Sequence, residues 1–249
     1  MGSEYLSFSK LESYSTCQRR YWLEQNEPAP EPLDRTTAFA LGRQVHTAME
    51  RLARGGRAGV DYDRALADLE HDPPAGPLSV PTLQDYARPA IPLLRLLNDP
   101  PTDMIELKRK DPRIKNSGRI DLVVPKSPGP ERPEERPCVI DWKTGRPRFG
   151  ENNIRRSVQL GLYCHMLDLH DAAFVYLDGV SASVVYAHLT EAEIADSVRW
   201  FVENSRAIRF QEPLGMGAFA MTSRESPLCN PRFCPYYGLC YPHGTATGK

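Results

Sequence analysis

Gly118-Arg119-Ile120-Asp121-Leu122-Val123-Val124, followed by Cys138-Val139-Ile140-Asp141-Trp142-Lys143-Thr144-Gly145, decides how the rest of this 249-residue chain is read. Each acidic residue ends or interrupts a short run of branched apolar residues, the pattern of a buried strand that delivers a polar side chain to a sheet edge. Two neighbouring strands of this kind present two carboxylates and an ammonium to one point. Paired carboxylates repel unless a divalent cation lies between them, and a lysine beside the cation can orient or deprotonate a water and offset charge developing on a phosphate. The set suits metal-dependent phosphodiester hydrolysis. An Asp-x-Lys triplet alone carries little, since average composition supplies roughly one by chance in a chain of this length. Its setting between strands, with Asp121 upstream, gives it weight.

Three further stretches stand around this pair: Tyr5-Leu6-Ser7-Phe8-Ser9-Lys10-Leu11-Glu12-Ser13-Tyr14-Ser15-Thr16-Cys17-Gln18-Arg19-Arg20-Tyr21, then Gly42-Arg43-Gln44-Val45-His46, and downstream Gln159-Leu160-Gly161-Leu162-Tyr163. With them the sequence resembles the PD-(D/E)XK nuclease superfamily, within it the RecB-like exonucleases that include the CRISPR-associated iron-sulfur nucleases. The N-terminal stretch is similar to the family's opening helix, although the Pro that often follows its Cys is Gln18 here. The middle stretch is similar to the Gly-x-x-x-His motif that supplies a metal-binding His, and Asp121 to the first acidic motif. Asp141-Trp142-Lys143 resembles the (Asp/Glu)-x-Lys motif, and the downstream stretch the Gln-x-x-x-Tyr motif of the RecB-like branch. The resemblance covers almost the whole chain in a fixed order. It implies an α/β fold of restriction-endonuclease type, a central mixed sheet flanked by helices, with a cysteine-stapled iron-sulfur lobe.

Length and composition bound this reading. The chain is long enough for one sizeable core, and its hydrophobic and charged fractions, 41% and 25%, are those of an ordinary globular protein. No stretch has the length of a membrane span, the N-terminus lacks a secretory pattern, and a cytoplasmic location is expected. Net charge is −1, so a generally basic coat is absent, but cations cluster locally. Lys108, Arg109, Lys110, Arg113, Lys115 and Arg119 precede Asp121, while Arg146, Arg148, Arg155 and Arg156 follow Lys143. Such runs are usually solvated faces, yet their place beside both acidic motifs suits a phosphate-binding rim, with Arg119, Arg146, Arg155 and Arg156 as DNA-binding candidates.

The pattern predicts helices first, then a sheet. Ser7 or Ser9 caps a helix carrying Leu11, Tyr14, Cys17 and Tyr21, and Thr36 or Thr37 caps one carrying Leu41, Val45, His46 and Met49. Residues 55–101 hold charged helical pieces with Pro/Gly breaks and read as a helical insertion in a single nuclease domain spanning 1–249. Strands are expected over 104–110, 119–124 and 138–142, with 125–137 as a long loop, then a helix over 153–170 and a strand pair over 173–177 and 182–189. Thr190 caps a further helix to about Ile208.

Of six cysteines, Cys138 in a strand and Cys164 on a helix read as small buried hydrophobes. Cys229, Cys234 and Cys240 lie in a turn-rich segment with little capacity for its own core, and Cys17 is the remaining one. Four thiolates suit zinc or a [4Fe-4S] cluster, and ligand chemistry alone does not choose between them. The resemblance implies the cluster, since related nucleases use one N-terminal and three C-terminal Cys; the Cys-Pro-x-x-x-x-Cys ending matches, but the preceding gap is four residues where the family usually has two. The lobe would join residues 5–25 to 225–243 and act chiefly as a staple.

A lone His on a helix is usually structural, but the motif context assigns His46 to metal, and imidazole favours manganese where an all-oxygen shell favours magnesium. Glu106 is a weaker candidate, equally readable as an exposed strand residue. Gln159 and Tyr163 share one helix face and suit hydrogen bonds to phosphate or lysine, the alternative being an amphipathic helix with Tyr in the core. What the resemblance implies for mechanism is hydrolysis of DNA at one or two Mn2+ or Mg2+ ions held by His46, Asp121, Asp141 and the Trp142 carbonyl. Lys143 would position the attacking water, and Gln159 and Tyr163 would orient Lys143 or the strand. Family products carry 5′-phosphates, and cluster-bearing members mostly act on single strands or ends. The expected roles are repair, recombination, phage replication or CRISPR adaptation, with helicase, recombination or adaptation proteins as partners. Two other classes remain: a non-cleaving DNA-end-binding subunit of a helicase-nuclease or spacer-acquisition complex, and a zinc-stapled nucleic-acid binder.

Overall fold

Six strands pair into one mixed sheet in the computed structural model, which describes residues 4–28, 38–55, 61–96, 102–125, 136–147, 150–231 and 234–241. They are β1 (Leu6–Ser7), β2 (Ile105–Asp111), β3 (Asn116–Val124), β4 (Cys138–Thr144), β5 (Asp171–Leu177) and β6 (Ala182–His188). β2 runs antiparallel to β3, β3 to β4 and β5 to β6, whereas β1–β3 and β4–β5 are parallel. The α/β class expected from the sequence, a mixed central sheet flanked by helices, is the one observed. The expected caps Thr36 and Thr37 and most of the loop 125–137 lie outside the described residues.

Alternation along the strands sends side chains to two cores. Ile140, Trp142, Leu122 and Val124 pack under α3 (Ala38–Gly55), α4 (Tyr62–Asp68), α5 (Val80–Ala87) and α6 (Ile91–Leu96). Val139, Val123 and Phe174 pack under α7 (Glu151–Arg155), α8 (Val158–Leu167) and the start of α9 (Glu191–Gln211). Each fully buried large side chain contributes about 1.5–3 kcal/mol. Gln44, 2% exposed, ties α3 to the segment before α5: its amide donates to the carbonyls of Pro74 and Leu78 and accepts from Leu78 N. Its place in the Gly-x-x-x-His stretch is structural.

The two ends of the chain meet in a third core. Leu11, Tyr14 and Tyr21 pack with Phe201, Ile208 and Phe219. Arg19 N donates to Ala220 O, Thr222 Oγ1 to Thr16 O, and Ala220 N to Gln18 Oε1. Gln18 thus uses an amide where the resembling family often has a proline.

Two helix expectations need correction. The opening helix is two, α1 (Phe8–Thr16) and α2 (Gln18–Asn26), because Cys17 adopts extended backbone angles, φ −158° and ψ 109°. The helix expected over 153–170 is also two, α7 and α8, since Ser157 leaves the helical conformation and its hydroxyl caps α8 by accepting from Leu160 N. Thr190 forms the expected cap of α9, in a full capping box with Glu193.

Candidate active site

β3 is shared along one edge by two partners that do not meet. β1 pairs with Asn116 and Ser117, β4 pairs with Leu122 to Val124, and, among the described residues, 118–121 have no strand partner on that edge. The opposite edge is filled by β2. This break in the sheet gathers the polar residues. Asp121 Oδ2 accepts from Trp142 N at 2.9 Å, replacing a ladder bond with a side-chain one. Tyr163 Oη donates to the unpaired Arg119 carbonyl at 2.8 Å. Gly118 makes that approach possible, since a Cβ there would stand 2.9 Å from the Tyr163 ring.

Asp141 and Lys143, two apart on β4, share the face toward α8. Lys143 Nζ stands 2.5 Å from Asp141 Oδ2, 3.5 Å from Gln159 Oε1 and 5.0 Å from the Phe174 ring centre. Gln159 in turn donates to Tyr163 Oη at 3.1 Å. From α3, His46 Nδ1 reaches Asp121 Oδ2 at 3.2 Å. His46, Asp121, Asp141, Lys143, Gln159 and Tyr163 therefore form one connected set, drawn from α3, β3, β4 and α8.

Burial and mutual repulsion set the electrostatics. Asp141, 2% exposed, is pushed up to about 6 by burial and by the Asp121 charge, against the pull of Lys143. Burial disfavours the charged forms of His46 and Lys143, but the neighbouring carboxylates outweigh it and hold both groups above their ordinary values. Tyr163 is raised by burial and stays a neutral donor. Glu106, opposite Asp121 across β2 and β3, is pushed up to about 7 by burial and the Asp121 charge, opposed by Arg119, with which it forms an ion pair. Its backbone is left-handed, φ 52°, in a residue type that rarely adopts it, and such strain clusters at functional sites. At this pair both strands change face: Ile105 and Leu122 enter one core, Leu107 and Ile120 the other.

The donor chemistry suits a divalent cation, two carboxylates and an imidazole around a polar break in the sheet. Asp141 Oδ2 is buried without a hydrogen bond, because the lysine approaches it off the hydrogen-bonding direction. Among the described residues, no three His, Cys, Asp or Glu side chains stand at the spacing of a closed metal site.

The sequence model described as the PD-(D/E)XK nuclease superfamily matches residues 5–241. The chain belongs to that superfamily. No functionally curated protein matches it. Among solved structures, that of a "Putative exonuclease" from Eubacterium rectale is similar, with a TM-score of 0.56 and 12% identity over 99% of this chain and 90% of that one; at this identity the likeness is one of fold. SSO0001 aligns at 19% identity over 80% of this chain and 86% of its own, with a TM-score of 0.34, and carries no argument.

In this PD-(D/E)XK protein the remaining candidate residues take separate places. Arg119 is exposed and paired with Glu106 and with Glu50 at 3.4 Å. Arg146 is exposed and paired with Asp178 at 3.1 Å. Arg155 is half-buried and paired with Glu151, Glu193 and the His188 carbonyl. Arg156 is exposed, while Arg148 lies outside the described residues. Glu50, one turn beyond His46 on α3, and Glu12, whose charge acts on Lys143, were not singled out by sequence. Helical spacing from His46 was the available signal for Glu50; nothing marked Glu12.

Cys17, Cys229, Cys234 and Cys240 line one cavity with Thr16, Arg20 and Thr222, far along α1 from the carboxylates. All four are half-buried free thiols. Burial raises Cys234 and Cys240, and each is raised further by the other cysteines, so the fully thiolate set is self-repelling without a cation. Four thiols are a donor type that zinc and an iron-sulfur cluster both accept, but among the described residues no three of these cysteines stand at the spacing of a closed metal site. Cys138 and Cys164 are instead fully buried in the two sheet cores, and burial pushes Cys164 up to about 12.

Proposed function

We propose that the protein is a divalent-metal-dependent DNA exonuclease of the RecB-like, iron-sulfur type, acting on single strands or DNA ends. The observation that carries this reading is the connected set at the break in the sheet, where His46, Asp121, Asp141, Lys143, Gln159 and Tyr163 converge from four elements. His46, Asp121, Asp141 and the Trp142 carbonyl would hold Mn2+ or Mg2+. A bound cation supplies stabilisation of a developing phosphate charge and lowers the pKa of water. Lys143, kept charged by Asp141, lies where it can orient the attacking water and offset charge on the phosphate. Gln159 fixes the lysine, and Tyr163 fixes Gln159.

The four cysteines would hold a [4Fe-4S] cluster that staples residues 5–25 to 225–243. Residues 55–101 would be a helical insertion in a single nuclease domain over 1–249, a reading supported by α4, α5 and α6 within 61–96. The proposed setting is cytoplasmic DNA metabolism: repair, recombination, phage replication or CRISPR adaptation, beside helicase, recombination or adaptation proteins. Among the described residues no helix is long and apolar enough to cross a membrane.

The test uses anaerobically purified protein on end-labelled linear and circular DNA, single- and double-stranded, with Mn2+, Mg2+ or chelator. Ladders on linear DNA should vanish with chelator and fall by about 10²–10³-fold in Lys143→Ala, the size of loss seen when a principal charge-stabilising group is removed. Cleavage retained in Lys143→Ala would overturn the assignment. The alternative reading, a DNA-end-binding subunit without cleavage, draws on the internal pairing of Asp121 with His46 and of Asp141 with Lys143. Binding without cleavage under every metal would establish it.

A further inference from the structure

A separate cavity, about 610 Å³ and lined mostly by apolar surface, opens beside the catalytic set at Gln159 and Tyr163. Gln159 and Tyr163 close its catalytic end, the start of α1 with Phe8 forms one wall, and Lys108, Arg109 and Lys110 of β2 form another. It continues the same break in the sheet, since Ser117, Gly118 and Arg119 of β3 lie along it. Among the described residues no Asp or Glu lines it. The carboxylates lie at one end and the uncommitted cations at the other.

Lys108 and Arg109 are exposed and have no ion pair with a described residue. Lys110 is exposed too, its ammonium 4.9 Å from the Tyr5 ring centre. Lys108 and Lys110 are two apart on β2, hence on one face and about 6.8 Å from each other along the strand. That spacing is comparable to the separation of successive phosphates in an extended strand. Phe8 is half-buried, tilted against Trp200 at 6.2 Å, a fixed apolar surface of the kind on which a base stacks. The volume lies within the roughly 300–1,000 Å³ range of small-molecule pockets, room for a short stretch of one strand.

We propose that this cavity seats single-stranded DNA next to the scissile phosphate, with successive phosphates on Lys108 and Lys110 and a base against Phe8. The proposal rests on the nuclease reading above and assigns the side of the site on which the strand lies. Lys108, Lys110 and Phe8 are positioning residues. They act on strand affinity and leave the bond-breaking set untouched.

The test is fluorescence anisotropy of a labelled oligothymidylate, in chelator and over a range of salt, with wild type, Lys108→Glu/Lys110→Glu, Lys108→Arg/Lys110→Arg and Phe8→Ala. The charge reversal should weaken binding by about tenfold or more and lower the salt slope by about 1.4, the value for two single-strand phosphate contacts. The arginine pair should restore both. Hydrolysis of bis(p-nitrophenyl) phosphate, too small to reach the cavity, should be unchanged in the charge reversal, and its thermal midpoint should match wild type. Unaltered affinity and slope, in a wild type that binds and cuts DNA, would overturn the strand path alone. Equal losses on blunt duplex and on single strand would overturn its single-strand character. A wild type that neither binds nor cuts would remove the nuclease reading and this inference together.

Discussion

The break in the sheet and the cysteine cavity are both polar sites, but they are held in place by different means. At the break, strand register positions Asp121, Asp141 and Lys143, and their charges are partly offset within the protein, lysine against carboxylate and imidazole against carboxylate, while the two carboxylates still repel. At the cysteine cavity, Cys17 comes from the junction of two helices, while Cys229 and Cys234 come from turns and Cys240 from the four-residue α10 (Tyr237–Cys240). Arg20 and Arg19 pull the Cys234 and Cys240 thiols down, but burial and the neighbouring cysteines outweigh them, and Arg20 is also engaged by Glu24 at 2.7 Å. One site is built by the fold. The other would be completed by the proposed cluster.

α1 connects them, since its first residues wall the strand cavity and its C-terminal cap is Cys17. The largest expected effect follows. Cys234→Ser should lose iron, and with it several kcal/mol of stability, because four-thiolate sites contribute directly to folding and this one closes a loop of most of the chain. Iron content and thermal unfolding of anaerobic protein are the measurements. A variant that loses iron but melts with wild type would break the comparison, showing that the hydrogen bonds from Arg19, Ala220 and Thr222 hold the lobe alone.

The next effect sharpens the first half of the comparison. Glu106 and Asp141 have folded values raised to about 7 and about 6, above their ordinary 4.5 and 3.8. A carboxyl raised on folding binds more protons in the native state, so stability falls as pH rises from the ordinary value through the raised one. The stability these two carboxyls contribute in the metal-free protein should therefore be lost between about pH 4 and 7, and the raised His46 adds a further loss above its ordinary 6.5. Glu106→Gln should remove its share and be more stable than wild type at pH 8 by about 3 kcal/mol, read from urea unfolding in chelator. An identical pH profile in that variant would mean that Arg119 already compensates the charge fully.

Much of the first site was legible because strand and chemistry coincide in it. Ile120, Leu122, Val139 and Ile140 mark the strands, and an acidic residue inside such a run has few reasons to be there. The break itself was hidden: β1 is two residues long, below any periodic signal, and its pairing with Asn116 and Ser117 depends on contacts more than a hundred positions apart. The left-handed backbone at Glu106 was equally hidden, since glutamate is not a residue that announces it. His46 was assigned from a motif; its 3.2 Å contact with Asp121 is a product of how α3 crosses the sheet. At the cysteine cavity the residue type was legible and the geometry was not. Cysteines in a turn-rich segment mark a candidate ligand set, but no propensity foretells that Cys17, at the break between α1 and α2, lines the same cavity.

The smallest effect concerns Arg155, a DNA-binding candidate by sequence whose structural partners are all within the protein. Its guanidinium bridges Glu151 of α7 and Glu193 of α9 and donates to the His188 carbonyl of β6 at 3.0 Å. Glu193 is also the acidic member of the α9 capping box, so the arginine neutralises a carboxylate the helix start already needs. The side chain is 31% exposed, and a solvent-screened network of this kind contributes about 1 kcal/mol. Arg155→Ala should lower the melting temperature by roughly 2–4 °C and leave oligonucleotide affinity and salt slope at wild-type values. A reduced salt slope in Arg155→Ala would place it on the strand path, and would mean that the arginine leaves its carboxylates when DNA arrives.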